Sequence, residues 1–258
     1  MANDKTTAPQ VDFSRLPRHV AIILDGNGRW ANKRGLPRLL GHRAGIAALE
    51  RTVRAAGEMG IGFLSVYAFS TENWNRPQLE VMGLMALLRH YARRKVPELV
   101  KNGVRVRFCG ARRGVPDEVL RIIDWSETET ARCGRMTLLV CFNYGGRQEI
   151  LDAIADAQSN GETISSEEDL RKHLYLPDVP DPDLIIRTSG EPASAISGCG
   201  RLVQRILFYG HALARFRRRG TEKGIAVLCR KGTPLWTSRR VLSIRWPFAP
   251  LPARPWSR

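Results

Sequence analysis

Three acids, Asp25, Glu72 and Glu191, stand beside polar or glycine-rich turns in this chain, with Arg29, Arg38, Arg76, Arg147 and Arg187 near them. His42 and Asn73 lie close by in sequence. Asp25 opens the turn Asp25-Gly26-Asn27-Gly28-Arg29-Trp30 behind an apolar run. A turn of this kind leading into a helix leaves backbone N–H groups free to seat an anion. Guanidinium forks match phosphate oxygens in pairs. A lone carboxylate beside them can hold a divalent cation whose other ligands come from substrate phosphates. Gly-x-Gly alone fits a plain strand-to-helix turn equally well. No Gly-x-x-x-x-Gly-Lys-Ser/Thr phosphate loop, zinc-spaced His/Cys cluster or Gly-x-Ser-x-Gly nucleophile elbow occurs. Diphosphate chemistry by positioning and electrostatics is what these groups can do together.

Such groups need a scaffold, and the hydrophobic pattern supplies one. Val20 to Leu24 reads as a short buried strand ending at Asp25. Residues 30–60 carry helical spacing, with Gly60 as a stop. Phe63 to Phe69 is a second strand, ending in Ser70-Thr71-Glu72-Asn73-Trp74-Asn75-Arg76. A long helix over 79–100 follows, with Leu79, Met82, Leu84, Met85, Leu87, Leu88 and Val96 on its apolar face. A strand at Val104 to Cys109, a helix near 116–132 and a strand at Met136 to Phe142 come next, the last ending in Asn143-Tyr144-Gly145-Gly146-Arg147. Helices at 147–158 and about 166–174 precede a strand, Leu184 to Ile186, which ends in Arg187-Thr188-Ser189-Gly190-Glu191. Alternation of strand and helix predicts an α/β fold with a central, mostly parallel sheet flanked by helices. Ligands of such sheets sit at the carboxyl ends of the strands. Four polar clusters at one sheet edge point to a site far more specifically than Gly-x-Gly does.

Composition narrows the class further. No apolar run approaches the roughly 20 residues of a membrane span, and residues 1–14 carry no signal-peptide pattern. A cytoplasmic chain, peripheral to a membrane at most, with a flexible N-terminus over 1–14, is the expectation. Five cysteines without Cys-x-x-Cys argue against a disulfide framework, and Cys109 and Cys141 read as core. The net charge of +16 is uneven. Residues 193–258 hold 14 of the 41 Lys and Arg residues but one of the 25 acids, Glu222. The first 192 residues are nearly balanced, so the basic character belongs to the tail.

The run His19 to Ala31, then Arg38 and Gly41-His42-Arg43-Ala44-Gly45, then Tyr67 to Pro77, Asn143 to Arg147 and Asp183 to Glu191, closely resembles the bacterial cis-prenyltransferases. These are the isoprenyl transferases, or undecaprenyl diphosphate synthases, and the resemblance covers residues 15–192 in order. It implies a catalytic domain over that range and Mg2+-dependent condensation of isopentenyl diphosphate onto an allylic diphosphate such as farnesyl diphosphate. By the resemblance, Asp25 is the essential carboxylate and a Mg2+ ligand, and Gly26, Asn27, Gly28 and Arg29 cradle the allylic diphosphate with Arg38 and His42. Trp30 and Trp74 flank the reacting prenyl group. Asn73, within Ser70-Thr71-Glu72-Asn73, is linked to proton removal. An amide is a poor base, so Asn73 reads as positioning an acceptor. Arg76 and Arg187 bind diphosphate oxygens, Arg187 on the isopentenyl side. A homodimer and a membrane-embedded product are also implied.

After Pro192 the resemblance ends. The family continues with Arg-Ile-Ser-Asn-Phe, then an aromatic strand carrying a Glu. Position for position, the Arg and Ser for the second substrate fall on Ala193 and Ala195, and the second metal-binding Glu falls on Ile206. Ala193 to Ser197 and Ile206 to Arg218 can each be encoded so that a shift of reading frame, by one nucleotide for the first and two for the second, restores the family motif. The tail is thus read as the product of a frameshift near codon 192, aberrant and poorly ordered, with the native last strand and helix lost and dimerisation in doubt. The rival reading takes the tail at face value, as a basic segment for nucleic acid or an anionic membrane on a non-catalytic protein. The frameshift explains the same residues, so no nucleic-acid partner is expected.

Overall fold

The computed structural model describes residues 16–188 and 206–208. It contains six strands in the order β3-β4-β2-β1-β5-β6. Their ranges are His19–Ile23 (β1), Phe63–Ser70 (β2), Val104–Cys109 (β3), Met136–Tyr144 (β4), Leu184–Arg187 (β5) and Ile206–Phe208 (β6). All five pairings are parallel. Parallel strands need crossovers, and the helices supply them. These are Asn27–Asn32 (α1), Arg38–Met59 (α2), Gln78–Lys101 (α3), Asp117–Thr130 (α4), Gly146–Ser159 (α5) and Glu167–Lys172 (α6).

The strands are apolar on both faces because both faces are covered. Val20, Ile22, Leu64, Val66, Leu138, Leu184 and Ile186 pack with Val53, Ala56 and Ile61 in one cluster. Cys109 and Cys141 lie buried in a second cluster with Leu139, Tyr144 and Leu176, as small core residues.

Three boundaries depart from the sequence expectation. The single helical pattern over 30–60 is two helices, because Gly35 takes a positive φ of 66° and Pro37 precedes the first turn of α2. Pro removes a hydrogen bond from a helix interior but fits before its first turn. The cluster after β2 is a short 3-10 turn, Thr71–Asn75. On α3, Leu79 and Met82 face solvent, whereas Val81, Met85 and Val96 are buried.

One short strand falls within the tail. The backbone of Ile206–Phe208 forms β6 and pairs with β5 in register Ile185–Ile206, Ile186–Leu207 and Arg187–Phe208. Tail residues therefore occupy that edge of the sheet. The run Ile-Leu-Phe-Tyr over 206–209 is apolar and β-prone in its present frame. An unpaired edge of β5 would leave a row of backbone donors and acceptors without partners, which favours such pairing. The expected disorder of the tail, and Ser189, Gly190 and Glu191, lie outside the described residues.

Candidate functional site

β1 has β2 on one side and β5 on the other, so chain connections leave in opposite directions from this point. A crevice at the carboxyl ends of two such strands is where open α/β sheets bind ligands. Asp25 stands there. Its Oδ1 accepts from Gly26 N at 2.6 Å and from Arg29 Nη2 at 3.1 Å. Its Oδ2 accepts from Arg187 Nη2, at the end of β5, at 2.8 Å. The Thr188 hydroxyl donates to the Asp25 carbonyl at 2.8 Å and clasps the two strand ends together. Asp25 remains 30% exposed, Arg187 only 8%. One carboxylate thus faces outward with a buried guanidinium fixed to it.

Local sequence explains the turn. Gly26 has φ 87°, a left-handed conformation that costs glycine little. Asn27 and Gly28 are buried behind it in α1. Gly41 and Gly45 of α2 allow that approach, since a Cβ would sit 2.1 Å from the Asn27 carbonyl oxygen at Gly41 and 2.3 Å from Asn27 Nδ2 at Gly45. Above Gly28 lies the Arg38 guanidinium, 3.0 Å from where a Cβ would be.

A second group of basic side chains gathers on Glu80, a residue that the sequence reading did not single out. Arg38 Nε, His42 Nε2 and Arg76 Nη1 lie 3.1, 3.4 and 3.0 Å from its carboxylate oxygens. Glu80 therefore holds α2 and the segment after β2 against α3. Burial alone would raise its pKa, but the Arg38 hydrogen bond and charge, with Arg76 and His42, hold it below the ordinary value. Burial lowers the pKa of His42, and Arg76 and Arg38 push the same way against Glu80. His42 therefore favours its neutral form. A signal existed in the sequence, since Arg76 and Glu80 are spaced i,i+4.

The turn after β2 is built by a capping box, in which Ser70 N donates to Asn73 Oδ1 at 3.3 Å while the Ser70 side chain caps the Asn73 backbone. Thr71 packs on Gly145, where a Cβ would be 2.7 Å from its hydroxyl oxygen. Asp25, Asn27, His42, Ser70, Glu72, Asn73, Arg76 and Arg187 all line one cavity of about 600 Å3. Ile46 and Leu49 from α2 and Leu84, Leu87 and Leu88 from α3 give it an apolar stretch of wall, and Glu50, Arg54, Lys95 and Glu98 line it as well.

The two tryptophans stand apart from this lining. Trp74 donates its indole N–H to Asn143 Oδ1 at 2.7 Å and packs edge-on against Phe69 at 4.8 Å. Trp30 lies under the Arg34 guanidinium, 4.4 Å from its ring centre. The Asn143-Tyr144-Gly145-Gly146-Arg147 cluster is largely architectural. Asn143 Nδ2 donates to the Ala111 and Arg113 carbonyls at 2.7 and 3.1 Å. Tyr144 donates to buried Glu149 at 2.6 Å, and Arg147 is exposed on α5.

Among the described residues no group of three or more His, Cys, Asp or Glu side chains could hold a metal ion. A Mg2+ ion does not require one. It is held by one or two carboxylates plus substrate phosphates, keeping several waters. The half-open Asp25 carboxylate, with arginines ready for phosphate oxygens, fits that demand.

The prenyltransferase family model described as undecaprenyl diphosphate synthase matches residues 23–194. The isoprenyl transferase of Thermotoga maritima is 54% identical over 183 residues, 69% of this chain and 78% of that protein. Isoprenyl transferase 2 of Bradyrhizobium diazoefficiens is 49% identical over 187 residues, 70% and 74% of the two chains. The crystal structure of lavandulyl diphosphate synthase from Lavandula x intermedia, in complex with dimethylallyl diphosphate, aligns with a TM-score of 0.76 at 27% identity. That alignment covers 84% of this chain and 97% of the other.

Proposed function

Because the chain belongs to the undecaprenyl diphosphate synthase family of prenyltransferases, we propose that its strand-end site seats an allylic diphosphate for cis-prenyl chain elongation. The observation that carries this reading is Asp25, held between Arg29 and Arg187 at a cavity whose lining joins these polar strand-end groups to an apolar stretch of α2 and α3. A diphosphate head and a hydrocarbon tail need those two environments. A relative of known structure holds dimethylallyl diphosphate.

In the proposed reaction the allylic C–O bond breaks and diphosphate departs. The isopentenyl double bond attacks the allylic carbon, and a proton leaves the new chain. Arg29, Arg38 and the N–H groups behind Gly26 take up the charge growing on the departing group. Mg2+, held by Asp25 and diphosphate oxygens, would neutralise that charge further. Arg187 faces the isopentenyl side, and Asn73 orients the proton acceptor, the departing diphosphate. His42 serves as a neutral hydrogen-bonding partner. The hydrocarbon lies between α2 and α3, excluded from water.

The second substrate is less well served. The family match ends at residue 194, two residues past the point where the sequence changes character. Ala193, Ala195 and Ile206 stand where the family pattern places an Arg, a Ser and a Glu. We infer a chain that binds the allylic partner and condenses it poorly, and whose family homodimer is weakened by the altered tail. Incorporation of labelled isopentenyl diphosphate with farnesyl diphosphate and Mg2+ tests this. Slow incorporation with intact farnesyl diphosphate binding is expected. Failure to bind farnesyl diphosphate would overturn the assignment of the site.

A further inference from the structure

The segment from Gly26 to Leu49 contains Arg29, Lys33, Arg34, Arg38 and Arg43 and no acid. Its middle, residues 32–40, is continuously exposed. Within it Leu36, Leu39 and Leu40 are 38%, 36% and 40% exposed. The first turns of α3 add Leu79 at 84% and Met82 at 60%. The two groups adjoin. Leu39 Cδ1 lies 3.0 Å from where a Cβ on Gly83 would be, and Arg38 is bonded to Glu80. Five large apolar side chains therefore share one tip of the molecule with a set of cations. Glu80, the nearby acid, is only 12% exposed.

Isolated exposed leucines need no explanation, but a cluster rimmed by polar groups marks an interaction surface. Charge selects the occupant. The chain's own tail, with 14 Lys and Arg residues, would be repelled by this rim. A second copy would bring two basic rims together. An anionic bilayer meets both demands, since basic residues attract its headgroups while apolar side chains enter the boundary with the acyl region. No helix among the described residues is long and apolar enough to cross a membrane, so the contact would be peripheral.

We propose that the tip formed by residues 32–43 and the start of α3 docks on an anionic lipid surface. Arg29 and Arg38 lie on the same segment. The diphosphate end of the site therefore opens beside the bilayer, where a polyprenyl product belongs. This last point rests on the prenyl-transfer reading, but docking itself does not.

The test is co-sedimentation of the full chain with phosphatidylglycerol-containing and with pure phosphatidylcholine vesicles. One variant carries Leu36→Ser, Leu79→Gln and Met82→Ser, and a second carries Lys33→Glu and Arg43→Glu. The tail is identical in all three proteins. Each cation near an anionic surface contributes about five-fold in affinity, so the charge variant should bind anionic vesicles at least ten-fold more weakly. The apolar variant should lose a similar factor and show a steeper salt dependence. Wild-type binding to phosphatidylcholine should be weak. Equal binding by all three proteins would assign any membrane affinity to the tail and overturn the proposal. So would loss of a dimer, seen by mass photometry, in the apolar variant with vesicle binding unchanged. Farnesyl diphosphate binding, measured in parallel, separates a failure of docking from a failure of the active-site reading.

Discussion

Two carboxylates near the site, Asp25 and Glu80, stand in different surroundings. Asp25 meets two arginines and keeps 30% of its side chain open. Glu80 meets Arg38, His42 and Arg76 and keeps 12%. A carboxylate that is half open can exchange its partners for a ligand. One bonded by two arginines and a histidine cannot do so without losing its structural hold. On the proposed reading Asp25 is thus the group poised for chemistry, and Glu80 arranges the arginines around it.

Substitutions can break that comparison. In a chain with the family reading frame restored, Asp25→Asn should slow isopentenyl incorporation by about a thousand-fold, the scale of losing one preorganised electrostatic partner. A ten-fold loss or less would place Asp25 among the merely structural groups. Glu80→Ala should act first on the scaffold. Removing one member of a buried ion pair costs about 3–5 kcal/mol. Arg38 and Arg76 are 44% and 31% exposed, which discounts the cost to about 2 kcal/mol. Chemical denaturation would measure it, and farnesyl diphosphate affinity should fall with it.

Tyr144→Phe sharpens the contrast between site and scaffold. It removes the hydroxyl that donates to buried Glu149, at a cost of about 1–3 kcal/mol for the unsatisfied group. Incorporation kinetics should stay unchanged. A fall in kcat without a change in stability would return the Asn143 to Arg147 cluster to the chemistry.

The smallest effect is that of pH. His42 titrates below its ordinary value of 6.5, chiefly because burial disfavours its charged form. As pH falls through 6.5 the unfolded chain takes up the proton first. The His42 contribution is therefore full above pH 6.5 and declines below it, levelling off under the folded-state pKa. Denaturation midpoints from pH 7.5 to 5 should fall less steeply in His42→Gln than in the parent chain. Identical slopes would locate the pH dependence elsewhere.

Strand ends were legible in the sequence because short apolar runs stop abruptly at polar clusters. Asp25 and Arg187, separated by 162 positions, meet because β1 and β5 pair. Glu80 was not legible in the same way. It lies in a helix whose pattern advertises its apolar face, and its partners come from α2 and from beyond β2. Trp74 shows the converse. Its place in a polar motif suggests contact with substrate, whereas its N–H is spent on Asn143. The helix pattern likewise enlisted Leu79 and Met82 for the core. They lie on the exposed side of the first turns of α3, and spacing alone does not distinguish that side there.

β6 adds a different lesson. Apolar residues at 206–208 extend the sheet although the family pattern has ended before them. Edge pairing asks only for an extended, β-prone backbone. Binding a second diphosphate, on the proposed reading, asks for particular side chains, and the tail sequence does not carry them where the family pattern places them.

The most direct test compares isopentenyl incorporation by the present chain with that of a version whose reading frame is restored after codon 192. Both are assayed with farnesyl diphosphate and Mg2+. The account predicts comparable farnesyl diphosphate binding and at least a hundred-fold faster incorporation on restoration. Equal incorporation by the two chains would contradict it.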